Sequence, residues 1–258
     1  MKDENILLKT SAEVNRIRRS CNLVEGILEK LETFIVPGIS TLEIEEVCKS
    51  TIKSAMANSS ALHFKGFPST ICTSVNSVAV HGIPDQTVLD DGDILTVDIS
   101  LNLDGWHGDS ARTYIAGTGN NDVLRLQKAA YAATLAGINS AVSGRRLGDV
   151  GWAIETAAKK WGCSVVKKFA GHGIGRDLHE DPVILPYGKK NTGLRIIPGM
   201  VFTIEPVVVL GSGDVKLMGD GWSFVTNDGS LSAQYEHTLA VFSNRTEVLT
   251  SEKLSFHS

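Results

Sequence analysis

Gly92-Asp93-Ile94-Leu95-Thr96-Val97-Asp98 returns 107 residues further on as Gly199-Met200-Val201-Phe202-Thr203-Ile204-Glu205. Each run starts at a glycine, continues through residues that favour a buried strand, and ends in a carboxylate. A second pair of segments repeats at an offset of 106: Val36-x-Gly38-x-x-x-x-Glu43-Ile44 and Val142-x-Gly144-x-x-x-x-Asp149-Val150. His81-x-x-Pro84 answers to His179-x-x-Pro182 at an offset of 98, which places about nine extra residues in the second half, expected within 187–193. A duplicated α+β unit folded about a pseudo-twofold axis would bring Asp98 and Glu205 to equivalent places beside that axis.

The flanking pattern agrees with two copies of one unit. Val14, Ile17, Cys21, Val24, Leu28 and Leu31 recur three and four apart, which predicts a helix opened by a Thr10/Glu13 capping box and closed by Pro37-Gly38. Ser40 with Glu43 opens a second helix to about Met56, and short strand-like runs follow from Ser69 to Ile115. Then the order recurs: helix near Asp122 to Val142, a break at Ser143-Gly144, helix to about Trp161, and strands from Val165 onward.

Carboxylates interrupt the strands where a charge is costly. Asp98, Glu205 and Glu236 sit in or beside apolar runs that contain no Lys or Arg, and an unpaired buried carboxylate costs on the order of several kcal/mol. Asp109 lies eleven residues after Asp98 across the turn-forming Asp104-Gly105, so a hairpin returns it to the level of Asp98. His172 is enclosed in Gly171-His172-Gly173-Ile174-Gly175, where small residues admit a ligand close to the backbone. Four carboxylates and one imidazole suit a divalent metal, with Mn, Fe or Co favoured and Zn admitted. His81 and His179 are expected to flank this site, whereas His63, His107, His237 and His257 read as structural or solvated. His237 follows Glu236 along a strand and should face the other way.

Composition bounds the function. The chain of 258 residues is 42% hydrophobic and 21% charged, as expected of one globular enzyme domain (10–250) between short tails (1–9 and 251–258). A net charge of −4 disfavours a nucleic-acid surface, and the pairs Arg18-Arg19, Arg145-Arg146 and Lys189-Lys190 read as isolated and solvated. Cys21, Cys48, Cys72 and Cys163 form no Cys-x-x-Cys pair, and the apolar run Ile6-Leu7-Leu8 is too short for a signal peptide. No apolar stretch reaches the roughly 18 residues of a membrane span. A reducing, cytoplasmic location is expected. Motifs of other chemistries fail: His179-Glu180 lacks the second zincin histidine, the Gly171 run misses the dinucleotide spacing, and neither a Gly-x-Ser-x-Gly elbow nor a phosphate loop exists.

From Thr10 to Val248 the sequence resembles the type I methionine aminopeptidases, whose fold is the pita-bread fold: a pseudo-twofold duplicated unit with a curved antiparallel β-sheet covered by helices. The likeness is carried by His81-Gly82-Ile83-Pro84, Asp91-Gly92-Asp93-Ile94, Gly171-His172-Gly173-Ile174-Gly175-Arg176, Phe202-Thr203-Ile204-Glu205-Pro206 and Ser230-Leu231-Ser232-Ala233-Gln234-Tyr235-Glu236-His237-Thr238. It implies two divalent ions, bridged by Asp109 and Glu236, with Asp98 on one and His172 with Glu205 on the other. It further implies Glu205 as proton shuttle and His179 and His81 as catalytic, substrate-contacting histidines. A methionine pocket of Phe64, Phe67, Cys72, Leu178 and Trp222 also follows from it. The implied function is removal of the initiator methionine from nascent chains at the ribosome when the second residue is small, by a monomer that binds neither nucleic acid nor membrane. Phe64-Lys65-Gly66-Phe67-Pro68 departs from the family's usual Tyr-His-Gly-Tyr/Phe-Pro, and Leu178 stands where the family frequently has an aromatic before the second substrate histidine.

Three other readings stand beside this one. A proline-specific peptidase of the same fold would carry a further amino-terminal domain, whereas two helices precede the strand leading to His81. Type II methionine enzymes insert a long segment before the last glutamate, for which the interval from Glu205 to Glu236 leaves little room. A catalytically silent relative that binds peptides, ribosomes or chromatin partners would be expected to have lost ligands, and all five are present.

Overall fold

The computed structural model describes residues 5–251 and the backbone of 255–257. Helix α1 (Ser11–Leu31) begins at Thr10, whose hydroxyl accepts from the Glu13 N–H while the Glu13 carboxylate accepts from the Thr10 N–H. The same reciprocal box at Ser40 and Glu43 opens α2 (Thr41–Ser54). All six periodic apolar residues of α1 are buried. Strands β1 (Asn58–Ser59), β2 (Cys72–Val75), β3 (Val78–Val80), β4 (Ile94–Leu103) and β5 (Trp106–Ile115) complete the first half.

The second half opens with α3 (Asn121–Ser140) and α4 (Leu147–Lys160). Strands β6 (Ser164–Val165), β7 (Gly171–Gly173), β8 (Glu180–Ile184), β9 (Val201–Ile204) and β10 (Val207–Val209) follow. The chain then adds β11 (Val215–Leu217), β12 (Phe224–Thr226), β13 (Ser232–Gln234), β14 (His237–Val241), β15 (Arg245–Val248) and β16 (Ser255–His257).

Every named strand pairing is antiparallel. β4 pairs with β1, β2 and β5, and a six-stranded sheet runs β16-β15-β14-β9-β7-β8. Helices α1 and α2 bury their apolar faces with β4 in one core, and α3 and α4 do so with β9 and β14 in another. Where α1 crosses β5 only a glycine fits, because a Cβ at Gly108 would lie 2.6 Å from the Cys21 backbone nitrogen.

The repeat read from the sequence is present in backbone detail. The Gly38 N–H donates to the Leu89 carbonyl at 2.8 Å, and the Gly144 N–H donates to that of Ile196 at 2.9 Å. Ser40 bridges Val88, and Arg146 bridges Arg195. The paired glycines share the left-handed region, with φ of 94° and 91° at Gly38 and Gly144. Two helix-covered halves with open antiparallel sheets form the pseudo-twofold pita-bread architecture.

Residues 5–9 lie against β8 and the turn before β9: Asn5 N–H donates to Asp181 at 3.1 Å, Lys9 N–H donates to the Gly199 carbonyl at 2.7 Å, and the Lys9 ammonium is buried against Glu180. Among the described residues no helix is long and apolar enough to cross a membrane.

Candidate metal centre

The site forms where the two halves meet. Ser100 lies opposite Asp109 and Ala111 opposite Asp98 in the β4–β5 pair, so Asp98 and Asp109 are diagonal neighbours on one face. The hairpin that returns Asp109 turns through Asp104 and Gly105 with φ of 54° and 79°, the backbone of a tight two-residue turn. His172 stands on β7 between two glycines that have no room for a side chain. A Cβ at Gly171 would lie 2.5 Å from the Thr203 carbonyl oxygen, and one at Gly173 would lie 2.2 Å from that of Asp181. Pairing of Ile204 with His237 brings Glu205 and Glu236 out at the same end of β9 and β14. The Glu236 N–H donates to the Ala111 carbonyl at 2.9 Å, which ties this end to β5 of the other half.

Asp109, His172 and Glu236 each present a ligand atom, all within 4.8 Å of one another. His172 Nε2 is also 3.5 Å from Glu205 Oε1, and it is 3.7 Å from Asp109 Oδ2. Its Nδ1 lies 3.0 Å from the Gly173 carbonyl; with the proton there, the Nε2 lone pair faces the acids. Asp98 joins this set through its register and through its charge on Asp109.

Burial pushes all four acids upward, Asp98 to about 7. The Asp98 charge raises Asp109 further, and that of Asp109 raises Glu205 and Glu236. Burial, and then the neighbouring His179, lowers His172 to about 3, so the imidazole offers no compensating charge. Glu236 Oε1 is buried without a hydrogen-bond partner. An orphaned carboxylate oxygen, crowded acids and one neutral imidazole fit a divalent cation with hard oxygen preference.

The cluster floors a cavity of about 450 Å³ lined by His81, His179 and all five residues expected in the methionine pocket. Phe67 and Trp222 meet edge to face with centroids 5.3 Å apart. The His179 ring lies 4.2 Å from that of His172 and 5.0 Å from Phe64. Burial, followed by the Lys65 charge, lowers His179 to about 4. His81 is wedged edge-on against Phe169 at 5.4 Å, and burial lowers its pKa as well.

Two supporting hydroxyls escaped the sequence reading. Ser100 Oγ donates to Asp109 Oδ1 at 2.8 Å, and Thr203 Oγ donates to Glu205 Oε1 at 2.7 Å while accepting from the His172 N–H at 3.0 Å. Each stands two residues from a strand carboxylate, so the period of two was the signal that places them on the same face. Phe169, Phe224 and Gln234 also line the cavity without having been singled out. His107 is held by Ser60 and Asn102, and His237 bonds Thr250 away from the cluster. His63 is exposed, and the His257 side chain lies outside the described residues.

Residues 15–242 match the family described as Metallopeptidase family M24. The chain is 42% identical over 248 residues to methionine aminopeptidase A of Synechocystis sp., covering 96% of this chain and 98% of that protein. It is also 42% identical to methionine aminopeptidase 1 of Bacillus subtilis over 245 residues, 95% of this chain and 99% of that one. The crystal structure of methionine aminopeptidase from Rickettsia prowazekii superposes with a TM-score of 0.94 at 40% identity, covering 95% of this chain and all of that one. With this full-length agreement in sequence and fold, the chain belongs to metallopeptidase family M24, in its type I methionine aminopeptidase branch.

Proposed function

We propose that the chain removes the initiator methionine from nascent polypeptides with a small second residue, using two divalent ions drawn from Mn, Fe, Co and Zn. Asp109 and Glu236 would be shared between the ions, Asp98 would hold one, and His172 with Glu205 the other. The observation that carries this reading is the buried, partnerless Glu236 Oε1 among four acids that face a neutral imidazole. When bound, the ions supply Lewis acidity, polarising the scissile carbonyl and lowering the pKa of a water.

The chain's own groups perform the rest. Glu205, whose Oε1 is oriented by Thr203 and whose pKa is raised by burial, suits transfer of a proton from the attacking water to the departing amine. His179 would donate a hydrogen bond to the developing oxyanion, a role worth roughly 3 kcal/mol of barrier. His81, braced by Phe169, would orient the departing amide nitrogen. Phe64, Phe67, Cys72, Leu178 and Trp222 would enclose the methionine side chain, with sulfur–aromatic contacts adding about 0.3–1.5 kcal/mol each. Phe64 brings no phenolic hydroxyl to this wall, and Lys65 sets a cation at its rim.

The substrate is taken to be the emerging chain at the ribosome in the cytoplasm, met by a monomer. Methionine release from Met-Ala and Met-Gly peptides, with Mn, Fe, Co and Zn titrated in turn, tests the proposal. Rapid cleavage of Xaa-Pro peptides with poor cleavage of Met-Gly peptides would instead establish the proline-specific reading.

A further inference from the structure

One basic pair and two further cations that are far from it in sequence meet in space. Arg145, Arg146, Lys190 and Arg195 converge on a cavity of about 410 Å³ at the start of α4, with Trp152 as one wall and Asp149 as its one carboxylate. Among the described residues none of these four cations has a carboxylate within ion-pairing distance, although acids outnumber bases in the chain. Asp149 is turned to the backbone, accepting from the Asn191 and Arg146 N–H groups.

The fold itself does not require these charges. The equivalent frame in the first half carries Ile39, Ser40 and Val88 where the second carries Arg145, Arg146 and Arg195. Ser40 caps α2 with its hydroxyl, whereas Arg146 makes no side-chain cap on α4. Lys190 comes from the segment 187–193 expected to be additional in the second half. Two guanidinium groups are held in place through backbone carbonyls, Arg146 on Gly193 at 2.7 Å and Arg195 on Gly144 at 3.0 Å, which leaves further N–H donors on each. Lys190 Nζ rests 3.8 Å from the Trp152 ring centroid.

We infer that this cavity is a second binding site, remote from the metal centre, for a small multiply phosphorylated molecule of the nucleoside diphosphate class. Four cations and one carboxylate leave three positive charges, which match the roughly three negative charges of a diphosphate at neutral pH. Guanidinium forks suit phosphate oxygens, and an open cleft of this size, with Arg145, Lys190 and Arg195 exposed around it, admits a small ligand from solvent.

Calorimetric titration of the metal-loaded enzyme with ADP tests the inference. One-site binding is expected, weakened as salt is raised and lost by about tenfold for each guanidinium removed in Arg145→Glu/Arg195→Glu, with methionine release unchanged. Arg145→Ala/Arg195→Ala serves as the milder variant should charge reversal disturb folding. Equal ADP affinity in wild type and variants would assign the phosphates to the metal centre and overturn the inference, as would the absence of binding heat. Tighter, Arg-dependent binding of a short single-stranded RNA than of ADP would also overturn it, by making the occupant a nucleic acid.

Discussion

Replacing Thr203 by valine tests how the metal centre is held, because one buried oxygen serves two of its residues. Thr203 is fully buried, its hydroxyl accepting from the His172 N–H at 3.0 Å and donating to Glu205 Oε1 at 2.7 Å. Valine fills the same space with a methyl group and leaves the His172 N–H unsatisfied, at a cost of about 1–3 kcal/mol. In a chain of this size that lowers Tm by roughly 4–8 °C for about 2 kcal/mol. Glu205 also loses a hydrogen bond to its charged form, worth about 1.5 kcal/mol or more, so the ion that His172 and Glu205 would share should bind about tenfold more weakly. Thr203→Ser keeps the oxygen and should keep that affinity, losing only a buried methyl group. Calorimetric titration of Mn²⁺ or Co²⁺ into both variants, with thermal melts alongside, gives the two numbers. If valine leaves affinity within about twofold of wild type, or if serine fails as badly as valine, the hydroxyl does not position these ligands.

Further outcomes follow from the geometry. Asp109→Asn should bring methionine release down to background while the melting transition survives, since neutralising a carboxylate whose ionisation burial and Asp98 already oppose relieves repulsion in the metal-free chain; undiminished turnover in metal-defined buffer would refute the site. Because Asp98, Asp109, Glu205 and Glu236 have raised pKa values, these four acids hold more protons in the folded, chelated protein than in the unfolded chain. Their contribution to stability should therefore be complete below the ordinary carboxylate range and be lost as pH rises through about 7, which a comparison of wild type with Asp98→Asn isolates from the rest of the chain. Metal addition at pH 6 should release protons, read from the buffer dependence of the binding enthalpy. Gly108→Ala drives a methyl group into the α1 backbone and should destabilise the fold by roughly 2–3 kcal/mol in urea titrations. Gly26→Ala on the same helix has nothing within 4 Å of the new Cβ and should stabilise by about 0.5–1 kcal/mol.

Local patterns in the chain made most of the fold legible. Capping boxes at Thr10 and Ser40, three-and-four apolar spacing in α1 and the recurrence of glycine-led strands are short-range signals, and each appears in the structure at its expected place. The candidate ligands were legible for a different reason: a carboxylate in an apolar strand without a basic partner is costly enough to point to a cation. Ser100 and Thr203 were passed over because a hydroxyl in a strand carries no comparable energetic alarm, and its role depends on the atom it faces.

Sequence alone thus determined that the chain is a duplicated α+β unit and pointed to acids placed where an unpaired charge is costly, because periodicity and the cost of buried charge are properties of neighbours along the chain. Tertiary structure decided which of those groups converge. Glu236 meets Ala111 of the other half through strand pairing, and Arg145-Arg146 meets Lys190 and Arg195 because the segment 187–195 packs back over the start of α4. Convergence of residues separated by tens to more than a hundred positions is set by sheet register and loop packing, which no local spacing encodes.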